Sequence, residues 1–212
     1  MSKIAMVRQP RKDTLATRRQ IVDAAEALFA EHGVDAVTLL DIARAAGQKN
    51  RNAPQYHFGD KAGLINAVLD KHGDLISVRR KAMMERFGTG QSPTLRDLVE
   101  AYVLPVATHV ADTENAVTYL LLHSQLMTSS SFAALTGARI ERYPEVRRLQ
   151  DMMDRLLATD SRAERASKIL LIQTMVFHGL AGFYSSGASH RQRFVQTLCA
   201  AVEAVLTARP AP

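Results

Sequence analysis

Cysteine occurs once in this 212-residue chain, at Cys199. One thiol cannot close an internal disulfide or build a cysteine-based zinc site, which excludes a secreted, cross-linked scaffold. Long apolar runs are also missing. The best candidates, residues 119–122 and 169–172, fall far short of the roughly 18 residues a membrane span needs. The first 19 residues contain no apolar core of signal-peptide length. The chain is therefore expected to be soluble and cytoplasmic, with no membrane partner. Strands are unsupported, because nowhere does period-two alternation run between hairpin dipeptides.

Catalytic chemistry is poorly supplied too. No Gly-rich phosphate loop occurs, and Ser129-Ser130-Ser131 lacks the context of a nucleophile elbow. Cys199 falls on the apolar side of a terminal helical pattern, the setting of an inert thiol. Seven histidines (His32, His57, His72, His109, His123, His178 and His190) show no metal-ligand spacing with cysteine or carboxylates. No metal, no cofactor and no enzymatic activity are expected.

What the chain does have is helical periodicity and an uneven charge. The formal net charge is +6. Residues 1–19 carry Lys3, Arg8, Arg11, Lys12, Arg18 and Arg19 against Asp13 alone, whereas residues 88–212 are nearly neutral. A basic arm ahead of a neutral body fits a polyanion, for which nucleic acid is the leading candidate, or a solvated tail that aids solubility. The periodicity predicts an all-α protein. A basic arm and three helices are expected over residues 1–60, a connecting helix over 61–87, and a larger helical domain over 88–212.

The first helix is expected over about 14–32, with Ile21, Ala24, Ala25, Leu28 and Phe29 on its apolar face. Thr38-Leu39-Leu40-Asp41 has the form of a capping box and opens a short second helix that Gly47 stops. A third short helix ends near Phe58, and Asp60 can cap a longer fourth. Two short helices joined by a Gly-containing turn read as a helix-turn-helix, whose second helix enters the major groove. The candidate recognition segment is residues 48–58. Arg51 can bond guanine bidentately, and Asn50, Asn52 and Gln55 can do so to adenine. Lys49, Tyr56 and His57 can reach phosphates, which fixes register without reading sequence. No acidic residue lies between Asp41 and Asp60 to repel DNA. An ordinary polar corner of an all-α protein is the competing reading, and the full string with its capped helix and basic arm favours DNA.

The stretches IVDAAEALF at 21–29, VTLLDIARAAG at 37–47 and YHFGDKAGLI at 56–65 resemble the DNA-binding domain of TetR-type transcriptional regulators. The resemblance covers about a quarter of the chain. It implies a homodimer, an N-terminal helix-turn-helix and a variable C-terminal domain, with most members releasing DNA when a small molecule binds. It also implies that the Thr38 hydroxyl and Tyr56 touch the DNA backbone and that Lys61 binds phosphate. Arg44 joins Thr38, Lys49, Asn50, Arg51, Asn52, Gln55, Tyr56, His57 and Lys61 as the candidate DNA-binding set. The chain departs from the family in two ways. The segment from Gly47 to Phe58 is one position longer than the common pattern, as in a minority branch of the family. Pro54 is tolerated only in a first helical turn, so the third helix should start near Asn52 or Ala53. Arg51, Asn52 and Gln55 are the expected base readers.

The C-terminal body names no ligand. Its last two helices, about 162–185 and 190–207, are the candidate dimer interface. The stripes Ile169, Ile172, Val176, Leu180, Phe183 and Phe194, Leu198, Ala201, Val202, Val205 would form it in a four-helix bundle, with Gly179 and Gly182 allowing close approach. A helix near 94–111 should be kinked at Pro105. The effector site is expected from His109, Tyr119, His123, Met127, Phe132, Met153, Gln173, Phe177 and His178, and the effector itself to be largely apolar. The function read from the chain is a sequence-specific transcriptional regulator, a repressor that leaves a pseudo-palindromic operator when the effector binds. A DNA-binding regulator without a small effector, partner-controlled or an activator, is the alternative. A helical enzyme is the less favoured one.

Overall fold

The computed structural model describes residues 12–88, 92–113, 116–127, 141–156 and 161–209. Among the described residues every regular element is helical. The chain divides into two compact units, Met1–Val68 and Leu69–Pro212. The division falls inside α4 (Lys61–Glu85).

In the first unit, α1 (Lys12–His32) buries Ile21, Ala25 and Phe29 completely, at a four-residue spacing that marks one helix face. Burying side chains the size of Ile21 or Phe29 stabilises by roughly 1.5–3 kcal/mol each. α2 (Leu39–Ala45) opens at Thr38 with a complete capping box. The Thr38 hydroxyl accepts the Asp41 N–H at 3.2 Å, and the Asp41 carboxylate accepts the Thr38 N–H at 3.1 Å. Two amides without helical acceptors are thereby satisfied. Gly47, at φ +64°, then turns the chain through the left-handed region. α3 (Ala53–Phe58) starts where Pro54 requires, with the proline inside its first turn. Asp60 caps α4, its Oδ1 accepting the Gly63 N–H at 2.7 Å. Gly63 is demanded by space, since a Cβ there would lie 2.1 Å from the Phe58 carbonyl oxygen.

Among the described residues, the second unit takes up the remainder of α4, a short 3-10 turn (Arg86–Gly88) and five further α-helices. α5 (Leu95–Asp112) and α8 (Arg162–Ser185) begin with the same device as α2: Thr94 pairs with Asp97, and Ser161 with Glu164. α6 (Val117–Met127) has no exposed residue, as expected of a helix apolar nearly all round. α7 (Pro144–Leu156) buries Leu149, but Leu156, placed on the same stripe by periodicity, is 52% exposed in its last turn. α9 (Arg191–Thr207) closes the unit. α5 packs against α7 and α9, and α8 against α6 and α9. By length and composition α8 could cross a membrane. Its apolar residues Ile172, Val176, Phe177 and Leu180 are buried inside the protein.

Pro105 lies within α5 and has no N–H to offer the Ala101 carbonyl one turn back. Arg80 of α4 supplies the missing donor. Its Nε lies 3.2 Å from the Ala101 oxygen and its Nη2 3.4 Å from that of Tyr102. Burial lowers the Arg80 pKa, while Tyr102, Tyr119 and Glu145 oppose the shift. Glu145 is itself buried at the start of α7. Neither of its oxygens accepts a hydrogen bond, and Lys81 stands 3.8 Å away.

Candidate nucleic-acid interface and effector region

The sequence-predicted DNA-binding residues fall on α2, the turn after it, α3 and the first residue of α4. Lys49, Asn50, Arg51, Asn52, Gln55 and Tyr56 are all exposed, Tyr56 at 82%. Ala53 and Pro54 are buried, so α3 seats its N-terminal end in the unit and leaves Gln55 and Tyr56 outward. Arg44 is exposed on α2 and lies 3.7 Å from Asp41. Lys61 is half-buried, its Nζ 3.4 Å from the Asp35 carbonyl oxygen.

The turn that holds the extra position is organised by side chains. The Gln48 Nε2 donates to Ala46 O at 2.9 Å and to Gln20 Oε1 on α1 at 3.2 Å. The Asn50 Oδ1 accepts the Asn52 N–H at 3.0 Å. At the far end of α3, Arg18 of α1 donates to the His57 carbonyl and lies over the Phe58 ring, 4.3 Å from its centroid. A cation at a helix C-terminus is favourable both for the dipole and for the free carbonyls.

Three of the sequence-predicted contacts meet competing interactions in this geometry. The Thr38 hydroxyl accepts the Asp41 N–H and donates to the Asp41 carboxylate. The cap itself uses the hydroxyl only as an acceptor, so its proton can turn to a phosphate oxygen with the cap intact. Burial, and then the Arg18 charge, hold the His57 imidazole below its ordinary pKa. The Asn50 carbonyl oxygen accepts the Asn52 N–H, which holds that side chain against the turn and leaves the oxygen one further lone pair.

The effector candidates separate into several places. His109, Tyr119, His123 and Phe177 gather in the interior of the second unit from α5, α6 and α8. His123 stacks on Phe177 with centroids 3.6 Å apart, and Tyr119 meets both edge-on. His72 of α4, which the sequence reading passed over, completes the group. Its Nδ1 lies 2.8 Å from His109 Nε2, and its ring stacks on Tyr119. Met153 and Gln173 are elsewhere, lining an apolar cleft of about 50 Å³ with Tyr102, Leu149, Ile172 and Leu206. Met127 is half-buried at the end of α6. His178 is exposed, because it faces away from the buried side of α8. Phe132 lies outside the described residues. Two larger hollows, of about 400 and 490 Å³, are bordered by charged residues, Arg96, Glu100 and Arg191 in one and Arg86, Asp97 and Glu100 in the other.

Half of the residues expected at the dimer interface are intrachain core: Ile172, Val176 and Leu180 on α8 and Leu198 and Val202 on α9 are buried, whereas Ile169 is 39% exposed and Phe183, Phe194, Ala201 and Val205 are half-buried. Space is not tight at Gly179, where a Cβ would sit 3.8 Å from Phe194. The outward faces carry other residues. Leu170 and Leu171 are 55% and 53% exposed, with Thr174 and His178 beyond them, and α9 presents Thr197, Ala200 and Ala204.

Residues 21–68 match the family model described as bacterial regulatory proteins, tetR family. Among curated proteins the chain is similar to the HTH-type transcriptional regulator TtgR of Pseudomonas putida, 46% identical over 65 residues. That match covers 31% of this chain and 30% of TtgR. A probable acrEF/envCD operon repressor of Escherichia coli (strain K12) is 41% identical over 63 residues, covering 30% of this chain and 28% of the relative. The chain thus spans under a third of the length of these two curated relatives. Among solved structures it resembles NalD of Pseudomonas aeruginosa, described as the secondary repressor of the MexAB-OprM multidrug efflux pump. The TM-score is 0.59 at 23% identity, over 90% of this chain and 96% of the other. A TetR family transcription regulator from Marinobacter aquaeolei VT8 gives 0.63 at 15% identity, over 92% and 98%. At these identities the structural likeness shows a shared fold.

Proposed function

We propose that the chain belongs with the TetR family through its N-terminal domain and is a sequence-specific DNA-binding regulator of transcription. One observation carries the reading. Residues 49–56 place Lys49, Arg51, Asn52, Gln55 and Tyr56 in one exposed, acid-free run that ends on a short helix seated by Ala53 and Pro54. Arg51, Asn52 and Gln55 read base edges. Lys49, Tyr56 and Lys61 hold phosphates, and Lys61 does so at a helix N-terminus where an anion is favoured. The basic arm ahead of α1 adds charge on the same side of the sequence. The protein works in the cytoplasm as a homodimer, through the outward faces of α8 and α9, and two reading heads one helical turn apart recognise a pseudo-palindrome. Selection of bound duplexes from a random pool tests this. A two-fold-related consensus is the expected result, and a pool that stays random under salt competition overturns it.

A repressor released by a small effector is the favoured mode, with His72, His109, Tyr119, His123 and Phe177 as the responsive interior. A regulator controlled without a small molecule is the second reading, and a specific observation favours it. The apolar cleft holds about 50 Å³, well below the ~300 Å³ at which small-molecule sites begin, and the two hollows that exceed it, of about 400 and 490 Å³, are bordered by charged residues. Screening apolar compounds for release of the selected duplex separates the two.

A further inference from the structure

Asn50 and Asn52 carry the same side chain two positions apart, and both can in principle bond adenine. We infer that they divide the work: Asn50 is a positioning residue that caps α3, and Asn52 is the residue that reads an adenine. The inference rests on the DNA-binding function proposed above.

The argument is a count of donors. A helix leaves its first four N–H groups without intrahelical acceptors, from the N-cap residue to the third helical residue. In α3 these belong to Asn52, Ala53, Pro54 and Gln55. Asn50 answers two of them. Its Oδ1 accepts the Asn52 N–H at 3.0 Å, and its main-chain oxygen accepts the Ala53 N–H at 3.0 Å. Proline has no N–H to satisfy. Three of the four positions are therefore settled before the N-cap side chain is needed.

Asn52 sits at the N-cap, where asparagine ordinarily accepts from the third helical N–H, yet its side chain makes no capping bond. It is exposed and keeps both its carbonyl oxygen and its amide group for a partner. Bidentate recognition of adenine needs both, one for N6 and one for N7. Asn52 meets that requirement without giving up a bond, whereas Asn50 is held against the turn by the bond from the Asn52 N–H to its Oδ1. The division also explains how a lengthened turn stays ordered ahead of a six-residue helix, which is too short to sustain itself. Gln48 ties the turn to α1, and Asn50 ties it to α3.

The test compares Asn50→Ala, Asn50→Ser and Asn52→Ala in the full chain. A serine at 50 can still accept the Asn52 N–H but cannot bond adenine bidentately. Asn50→Ala should raise hydrogen exchange at the Asn52 and Ala53 amides roughly tenfold. It should also flatten base preference at every position read by Arg51, Asn52 and Gln55. Asn50→Ser should restore both. Asn52→Ala should leave exchange unchanged and lose preference at one adenine alone. If Asn50→Ser instead loses a single adenine position while exchange stays as in the parent, Asn50 is a reader and the inference is overturned. Unchanged exchange in Asn50→Ala overturns the cap by itself. A parent protein that enriches no sequence removes the reading role of Asn52 together with the proposed function, and the exchange data still decide the cap.

Discussion

The two units use polar side chains in opposite ways. In the first, Lys49, Arg51, Asn52, Gln55 and Tyr56 lie exposed within eight consecutive positions, and most of their supporting bonds span two to four residues. In the second, the notable polar groups are buried and are brought together from distant positions. His72 meets His109, Arg80 reaches Ala101 and Tyr102, and Tyr143 donates to Asp70 and Asp74, across 37, about 20 and about 70 positions. An exposed group can be changed with little loss of stability, so it is available for a partner. A buried group is committed to the fold, because removing its partner leaves a charge or carbonyl stranded in a poor solvent.

The sharpest way to break this contrast is Arg80→Met. It strands the Ala101 carbonyl and leaves Glu145 with less compensation, and it should cost about 3–5 kcal/mol in urea or guanidinium unfolding. Base preference should stay as it was. A loss under about 1 kcal/mol would mean that the α4–α5 contact contributes no more than an exposed one. Arg51→Ala is the mirror experiment. Discrimination at one base position should fall by roughly 1–3 kcal/mol, with the unfolding midpoint unmoved. Uniform weakening on all duplexes would move Arg51 to the phosphate class.

Lys61→Ala should weaken every sequence alike and lower the salt slope by about one. An unchanged slope would confine Lys61 to its contact with Asp35. The smallest effect belongs to a device that both units share. Hydrogen bonds from Thr38 hold Asp41 below its ordinary pKa of 3.8, and those from Thr94 do the same for Asp97. A group with a lowered folded pKa contributes stability above its unfolded value and loses it as pH falls through the folded one. Acid titration below about pH 4 should therefore erode both helix starts. Asp41→Asn should remove its share of that dependence, and an unchanged acid profile in the variant would show that the α2 cap does not contribute to it.

The reach of sequence reasoning follows the same divide. The Thr38 capping box, the stop at Gly47, the start of α3 forced by Pro54 and the Asp60 cap are rules about residues within four positions of one another, and each could be read directly. The capping boxes at Thr94 and Ser161 carry the same signature and went unread, although nothing beyond the sequence was needed to see them. The close passage of Gly63 under the Phe58 carbonyl gave no such signal, because it depends on how two helices meet.

Periodicity could say that α8 and α9 each have an apolar stripe, but not whether the stripe faces its own chain or a partner. Both surfaces reward the same residue types, so Ile172 and Leu198 look alike in either setting. Only packing placed them in the core and left Leu170, Leu171 and Ala200 outside. The sequence by itself determined the helices of the described residues, a helix-turn-helix near the start and the exposed run 49–56, because local hydrogen bonding and helical spacing are short-range physics. Which histidine joins His109 and which donor answers Pro105 were decided by tertiary structure. Those choices depend on which group stands across a gap of about 3 Å, and residues far apart in the chain decide that.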